Sequence, residues 1–372
     1  MKIKSSIMKT SILSMGSLLI LSLCCERSEG QNKAASNETN TIVQELQKLS
    51  LDKYFNIQPS EKKINEINPD WDNYYYNTDD CRCIFGTEYY TAVKHKSEAS
   101  KNVIFYMQGG GACWPGVDEC KTEISSEDVG YVDGLGYVID GSLNDWNTVF
   151  APYCDGSVHS GDNAADYDND GEEDHWFWGF RSTSAAVALT KKLYPDVDKM
   201  LITGCSAGGY GTIFATMLLR LQYPDTQFYV LNESGPGLQD PADQTTKKLV
   251  QETWKYDAFM PDNCAECKDQ MMYLYDWMLR YDSNLKIGLY SSYKDEVIGE
   301  DYLRMTPDSY SSLLLSTSGK IQAKNPNRFK RFFINGSSHC VESWKYKVKG
   351  VNLTQWVEQL VNDDSSWSDL LE

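Results

Sequence analysis

The stretch Gly204-Cys205-Ser206-Ala207-Gly208 constrains this chain more than any other. It reads G-x-S-x-G. The run before it, Lys199-Met200-Leu201-Ile202-Thr203, is short and apolar and predicts a buried strand; residues 209–219 after it are rich in Ala, Met and Leu and predict a helix. Strand, tight turn of small residues, then helix is the setting that lifts a serine hydroxyl above a sheet edge as a nucleophile. A glycine-rich turn around an ordinary serine carries the same letters, so the motif needs support from elsewhere in the chain.

Support comes first from upstream. Asn102-Val103-Ile104-Phe105-Tyr106-Met107 predicts a second buried strand, and it runs straight into Gln108-Gly109-Gly110-Gly111-Ala112-Cys113-Trp114. Glycines after a central strand permit backbone N–H groups to face a tetrahedral oxyanion. The candidate donors are Gly110 and Gly111, with Ala207 as the third.

The chain order of an α/β-hydrolase is nucleophile, acid, histidine. Of the histidines His95, His159, His175 and His339, only His339 follows Ser206. Arg331-Phe332-Phe333-Ile334 predicts a strand, and Asn335-Gly336-Ser337-Ser338 a turn that places His339 at a strand end. Lys286-Ile287-Gly288-Leu289-Tyr290-Ser291-Ser292 predicts the penultimate strand, and Asp295 follows its end. An acid there orients the imidazole and stabilises its charged form. Glu296 and Asp301 compete nearby, and Asp240, beyond the strand-like Gln227-Phe228-Tyr229-Val230-Leu231, competes from further away.

Taken together, these segments resemble the pectin acetylesterase family, which includes the animal Notum carboxylesterases. Gly109-Gly110-Gly111-Ala112-Cys113 resembles the family's glycine loop, with Ala112 where plant members carry tryptophan. Trp146-Asn147-Thr148-Val149-Phe150-Ala151-Pro152-Tyr153-Cys154-Asp155-Gly156-Ser157 resembles its W-N-x-V…Y-C-D-G-S segment, continued by Ser160-Gly161-Asp162. Gly204-Cys205-Ser206-Ala207-Gly208-Gly209, Tyr293-Lys294-Asp295 and the stretch from Asn335 to His339-Cys340 match in order. The resemblance spans roughly residues 80–345. It implies an α/β-hydrolase-like fold with a central, mostly parallel sheet, and a serine esterase that requires no cofactor. It leaves the acyl group open, since family members remove acetyl groups from pectin or a fatty acyl group from a signalling protein. Three readings follow: an esterase releasing acetyl groups from a polysaccharide such as pectin, a deacylase of longer acyl chains or lipids, and a non-catalytic surface binding protein on the same fold.

The first residues lead to the expectation of an exported protein, secreted or held at the surface or outer membrane as a lipoprotein. Lys2, Lys4 and Lys9 precede an apolar run at residues 12–23, too short for a bilayer span and suited to a cleaved signal. Residues 1–25 are therefore read as a signal peptide. Cys24 and Cys25 close the run and suggest lipoprotein-type anchoring, with ordinary cleavage nearby as the alternative. Residues 26–70 are expected to be a tether and N-terminal extension, and residues 71–372 one catalytic domain. The other nine of the 11 cysteines suit disulfides in an exported protein. Cys113 and Cys120 bracket a short loop and are the first expected pair. Cys264 and Cys267 form a C-x-x-C with no second pair to complete a zinc site, so bridges are expected there too. Cys205 and Cys340 each neighbour a candidate catalytic residue, and they are read either as meeting in space or as simply buried. Nine is odd, so one thiol is left over.

A net charge of −18 excludes general nucleic-acid binding and disfavours a de-esterified polyanion as substrate. Residues 166–174 read D-Y-D-N-D-G-E-E-D. Asp166, Asp168 and Asp170 have the spacing that opens a calcium loop, and Asp174 adds a fourth carboxylate, but Phe177 stands where a bidentate glutamate belongs. The loop is read either as a structural calcium site or as a solvated acidic turn.

Overall fold

The computed structural model describes residues 42–96, 100–139 and 141–372. The signal peptide, Cys24, Cys25 and the start of the tether lie outside the described residues. In chain order the strands of the central sheet are β1 (Glu61–Ile64), β2 (Asp72–Tyr75), β3 (Tyr90–Lys94), β4 (Asn102–Met107), β5 (Asn147–Ala151), β6 (Lys199–Cys205), β7 (Gln227–Glu233), β8 (Leu285–Ser292), β9 (Phe329–Ile334) and β10 (Leu370–Leu371). Their spatial order is β1-β2-β3-β5-β4-β6-β7-β8-β9-β10. Pairing is antiparallel from β1 through β3 to β5 and parallel from β5 onward.

Helices cover both faces, which is why the inner strands read as near-continuous apolar runs. Alternation along β4 still separates the two sides. Val103, Phe105 and Met107 join one core cluster, and Ile104 and Tyr106 join the other. The first core lies under α1 (Gly179–Leu193), α2 (Ala207–Gln222), α3 (Gln244–Trp254), α4 (Tyr273–Tyr281) and α5 (Pro307–Lys324). The second lies under α6 (Leu353–Val361), whose Leu353, Trp356, Val357 and Leu360 form the apolar stripe. A capping box starts α6: Asn352 accepts from Gln355 N (2.8 Å) while the Gln355 side chain accepts from Asn352 N (3.3 Å).

The predicted strand at 102–107 matches β4, and those at 199–203, 227–231, 286–292 and 331–334 fall within β6, β7, β8 and β9. The helix after Ser206 is longer than predicted, reaching Gln222. Ile42, Leu46 and Leu51 are buried in the main core, and Tyr54 donates to Asp162 (2.7 Å), which Lys53 also pairs. These apolar side chains pack residues 42–51 into that core, while β1 is an exposed edge strand of the sheet. Trp71 and Tyr76 are core residues as well.

Four disulfides join Cys83 to Cys154, Cys113 to Cys120, Cys205 to Cys340 and Cys264 to Cys267. Cys81 is the leftover thiol among the described residues, and it is buried. Such a set of bridges persists in oxidising, extracellular-type compartments. No helix among the described residues is long and apolar enough to cross a membrane.

Candidate active site

Ser206 sits between β6 and α2 with φ 58° and ψ −123°, a backbone conformation that costs a non-glycine residue energy. The serine, not the flanking glycines, carries the strained turn. The glycines provide clearance. A Cβ on Gly204 would lie 2.4 Å from the Met107 carbonyl oxygen, and one on Gly208 would lie 2.0 Å from it. Only hydrogen at both positions lets the elbow close against the end of β4. The Glu233 carbonyl accepts the Ser206 N–H (2.9 Å), which fixes the turn to β7.

His339 and Asp295 meet on neighbouring loops. His339 Nδ1 lies 2.9 Å from Asp295 Oδ2 and 3.0 Å from Oδ1. The two loops are laced by backbone bonds: Tyr293 N to Ile334 O (3.0 Å), Lys294 N to Gly336 O (3.1 Å) and Glu296 N to Ser337 O (3.0 Å). Asp295 is buried, and Oδ1 also accepts from Ile298 N (3.0 Å). His339 Nε2, on the far side of the ring, is buried and has no hydrogen-bond partner. The Cys205–Cys340 bridge ties the residue before Ser206 to the residue after His339, with a Cα–Cα distance of 6.1 Å. A ring nitrogen of His339 accordingly lies within 4.8 Å of the Cys205 sulfur. The competing acids stand elsewhere. Glu296 accepts from Ser337 Oγ (3.3 Å), Asp301 is exposed, and Asp240 caps Ala242 N (2.9 Å) at the rim of a pocket.

The glycine loop packs beside the elbow. A Cβ on Gly109 would lie 3.1 Å from Ser206 Cβ. Gly110 and Gly111 have φ of 156° and 77°, and a Cβ on Gly111 would fall 1.9 Å from the Glu119 carbonyl oxygen. Gly111 and Ala207 line one cavity with Ser206; Gly110 does not reach it. Ala207 opens α2, where backbone N–H groups have no partner within the helix. Beyond the glycines, Gly111–Trp114 and Val117–Cys120 form a hairpin closed by the Cys113–Cys120 bridge. Two residues that sequence reasoning passed over hold this loop from behind. Buried His159 donates from Nε2 to the Gln108 carbonyl (2.8 Å), and the Gln108 side chain accepts from Tyr153 N (2.9 Å). Burial pushes His159 below the usual imidazole range, so it serves as a neutral prop.

The cavity beside Ser206 has a volume of about 100 Å³. Val158, Leu238, Val250, Trp254, Met271 and Ile298 give it an apolar lining. Trp114 also lines it, packed edge-on to Trp254, while Ala112 leaves space. Gln239, Asp240, Asp243, Thr246 and Lys247 supply its polar residues.

In the acidic loop, Asp166, Asp168 and Asp174 present oxygens within 4.8 Å of one another. Asp170 does not join them; its carboxylate accepts from Glu172 N (2.9 Å). Asp168 is exposed while Asp166 and Asp174 are half-buried, and Asp166 already accepts from Asn169 N (2.7 Å) and Gly171 N (2.9 Å).

A strained serine between a parallel strand and a helix, on a sheet covered by helices on both faces, defines an α/β-hydrolase-like enzyme. Residues 75–273 match the family described as Pectinacetylesterase, and the chain belongs to that family. It is a carboxylic ester hydrolase, and hydrolysis of this kind requires no cofactor. The structure of the Wnt deacylase Notum from Drosophila is similar in fold, with a TM-score of 0.54 over 80% of this chain and 94% of that chain at 16% identity. No curated protein matches the chain in sequence.

Proposed function

We propose that the chain is an exported serine esterase in which Ser206 attacks the ester carbonyl. His339 takes the serine proton and returns it to the leaving alcohol, Asp295 holds the imidazole, and the N–H groups of Gly111 and Ala207, which line the cavity with Ser206, receive the oxyanion, with Gly110 left out. The four disulfides support export. The observation that carries the substrate reading is the apolar cavity beside Ser206, which offers more apolar wall than an acetyl methyl covers. An acyl group longer than acetyl fits that lining.

A panel of p-nitrophenyl esters tests it. Each methylene buried is worth about 0.8 kcal/mol, so kcat/KM should climb roughly three- to fourfold per carbon beyond acetate until the cavity is full. A maximum at acetate would overturn the longer-acyl reading. It would favour the second one, release of acetyl groups from a polysaccharide such as pectin, which the family description and the polar residues from Gln239 to Lys247 support. Acetate release from acetylated pectin, measured in parallel, separates the two.

A structural calcium at Asp166, Asp168 and Asp174 is part of the same proposal, with Asp170 left out. Calcium is expected to raise the melting temperature, because an ion that binds only the folded chain stabilises it by mass action. Magnesium should do less, since it dehydrates reluctantly. An unmoved melting curve for chelated protein given calcium, matching that of Asp168→Asn, makes the loop a solvated turn.

A further inference from the structure

We propose that Glu233 is a positioning residue that anchors the His339 loop to the elbow and supplies a second negative charge beside the imidazole. The inference rests on the esterase reading above. Glu233 ends β7 directly alongside Cys205, and its backbone carbonyl holds the Ser206 N–H. Its side chain reaches the other loop, where Oε1 accepts from Val341 N (2.7 Å). The next residue reinforces this, with Ser234 Oγ accepting from Cys340 N (3.2 Å). One residue therefore touches the backbone of the nucleophile and the backbone two residues past the histidine. Asp295 holds the His339 ring itself, with Oδ2 2.9 Å from Nδ1.

Glu233 is 5% exposed, and no lysine or arginine among the described residues pairs with it. The ionisable groups facing it are His339 on the loop, Tyr106 on β4, Tyr137 on the helical turn Gly136–Ile139 and Tyr290 on β8; Glu342 and Asp295 lie close to Tyr290. Burial, with the Glu233 charge in addition, pushes all three phenols up, so they stay neutral. Among the described residues facing it, His339 is the one that becomes cationic when it takes a proton. Burial raises the Glu233 carboxyl to about 7, against the pull of Val341 N–H and of His339.

The consequences follow in opposite directions for activity and stability. Above that pH the carboxylate is charged and stabilises the imidazolium that forms as Ser206 loses its proton. Below it the charge is gone. Because the folded pKa is raised, the stability that the protonated form contributes is complete below the unfolded carboxyl's range and is lost as pH rises through about 7. Glu233→Gln removes the charge and keeps an oxygen for Val341 N–H.

The experiment compares kcat and melting temperature of wild type, Glu233→Gln, Glu233→Ala and Ser206→Ala from pH 5.5 to 9, on one p-nitrophenyl ester. The wild-type to Glu233→Gln ratio of kcat should be about tenfold at pH 8.5 and shrink toward one at pH 5.5, with KM nearly unchanged. The melting temperature of Glu233→Gln relative to wild type should rise as the pH does. Glu233→Ala should lose more kcat than Glu233→Gln, since the loop is then unanchored. A kcat ratio that is independent of pH, or wild-type kcat in Glu233→Ala, would overturn the inference. Full activity in Ser206→Ala would instead overturn the esterase reading on which it rests.

Discussion

Ser206→Ala is expected to fold as the wild type does and to lose about 10⁶-fold in kcat, the scale on which the removal of a triad nucleophile acts. The structure separates the two outcomes cleanly. Ser206 starts α2 without a side-chain hydrogen bond, so the helix start does not depend on Oγ. The strained turn is held by backbone contacts, through the Glu233 carbonyl on one side and the clearance at Gly204 and Gly208 on the other. Alanine inherits that backbone. Its melting temperature should stay within about 3 °C of wild type, as for a substitution that removes no buried contact. Residual hydrolysis above the rate in water is expected, because the oxyanion donors and the cavity remain.

His339→Ala should cost about as much activity as the serine change, because nucleophile and base act as a unit. Asp295→Asn should cost somewhat less, about 10³- to 10⁴-fold. Asparagine is the informative replacement. Asp295 also accepts the Ile298 N–H, and a shorter side chain would disturb the buried turn that follows it. Asparagine fills the same space but presents His339 Nδ1 with an amide that is able to donate as well as accept, which loosens the choice of tautomer. The two changes are read by kcat on a p-nitrophenyl ester, with circular dichroism to check folding. Full activity in Asp295→Asn together with loss in Glu296→Gln or Asp240→Asn would move the acid to the other carboxylate.

The strands and the order of the site residues were legible because each rests on a local pattern. Apolar runs end in glycines or small residues, and only one histidine lies downstream of Ser206. Local patterns do not reveal why a residue is needed. The glycines of the elbow look like turn-formers in sequence, yet Gly204 and Gly208 are there because the Met107 carbonyl occupies the space of a side chain. That contact joins residues about a hundred positions apart. Long-range placement also left the Cys205–Cys340 pairing, separated by 135 residues, as one of two open readings, and it hid the side-chain contact of Glu233. A glutamate closing the apolar run Phe228-Tyr229-Val230-Leu231 was a usable signal, since a carboxylate at the end of a buried strand needs a partner. His159 was set aside by chain order and turns out to brace the glycine loop. The cavity was illegible for the same reason: Val158, Leu238, Trp254, Met271 and Ile298 come from five separate segments. At the N-terminal side, the burial of Ile42 and Leu46 was illegible, because two apolar residues are too few to make a visible period.

The central claim is that Ser206 is the covalent nucleophile, and labelling with a serine-directed phosphonate tests it most directly. The native protein is treated with the reagent, digested and mapped by mass spectrometry. One equivalent of adduct on Ser206 is predicted, appearing in step with the loss of activity and absent from Ser206→Ala and from heat-denatured protein. An adduct on a different serine that accompanies the loss of activity would contradict the account.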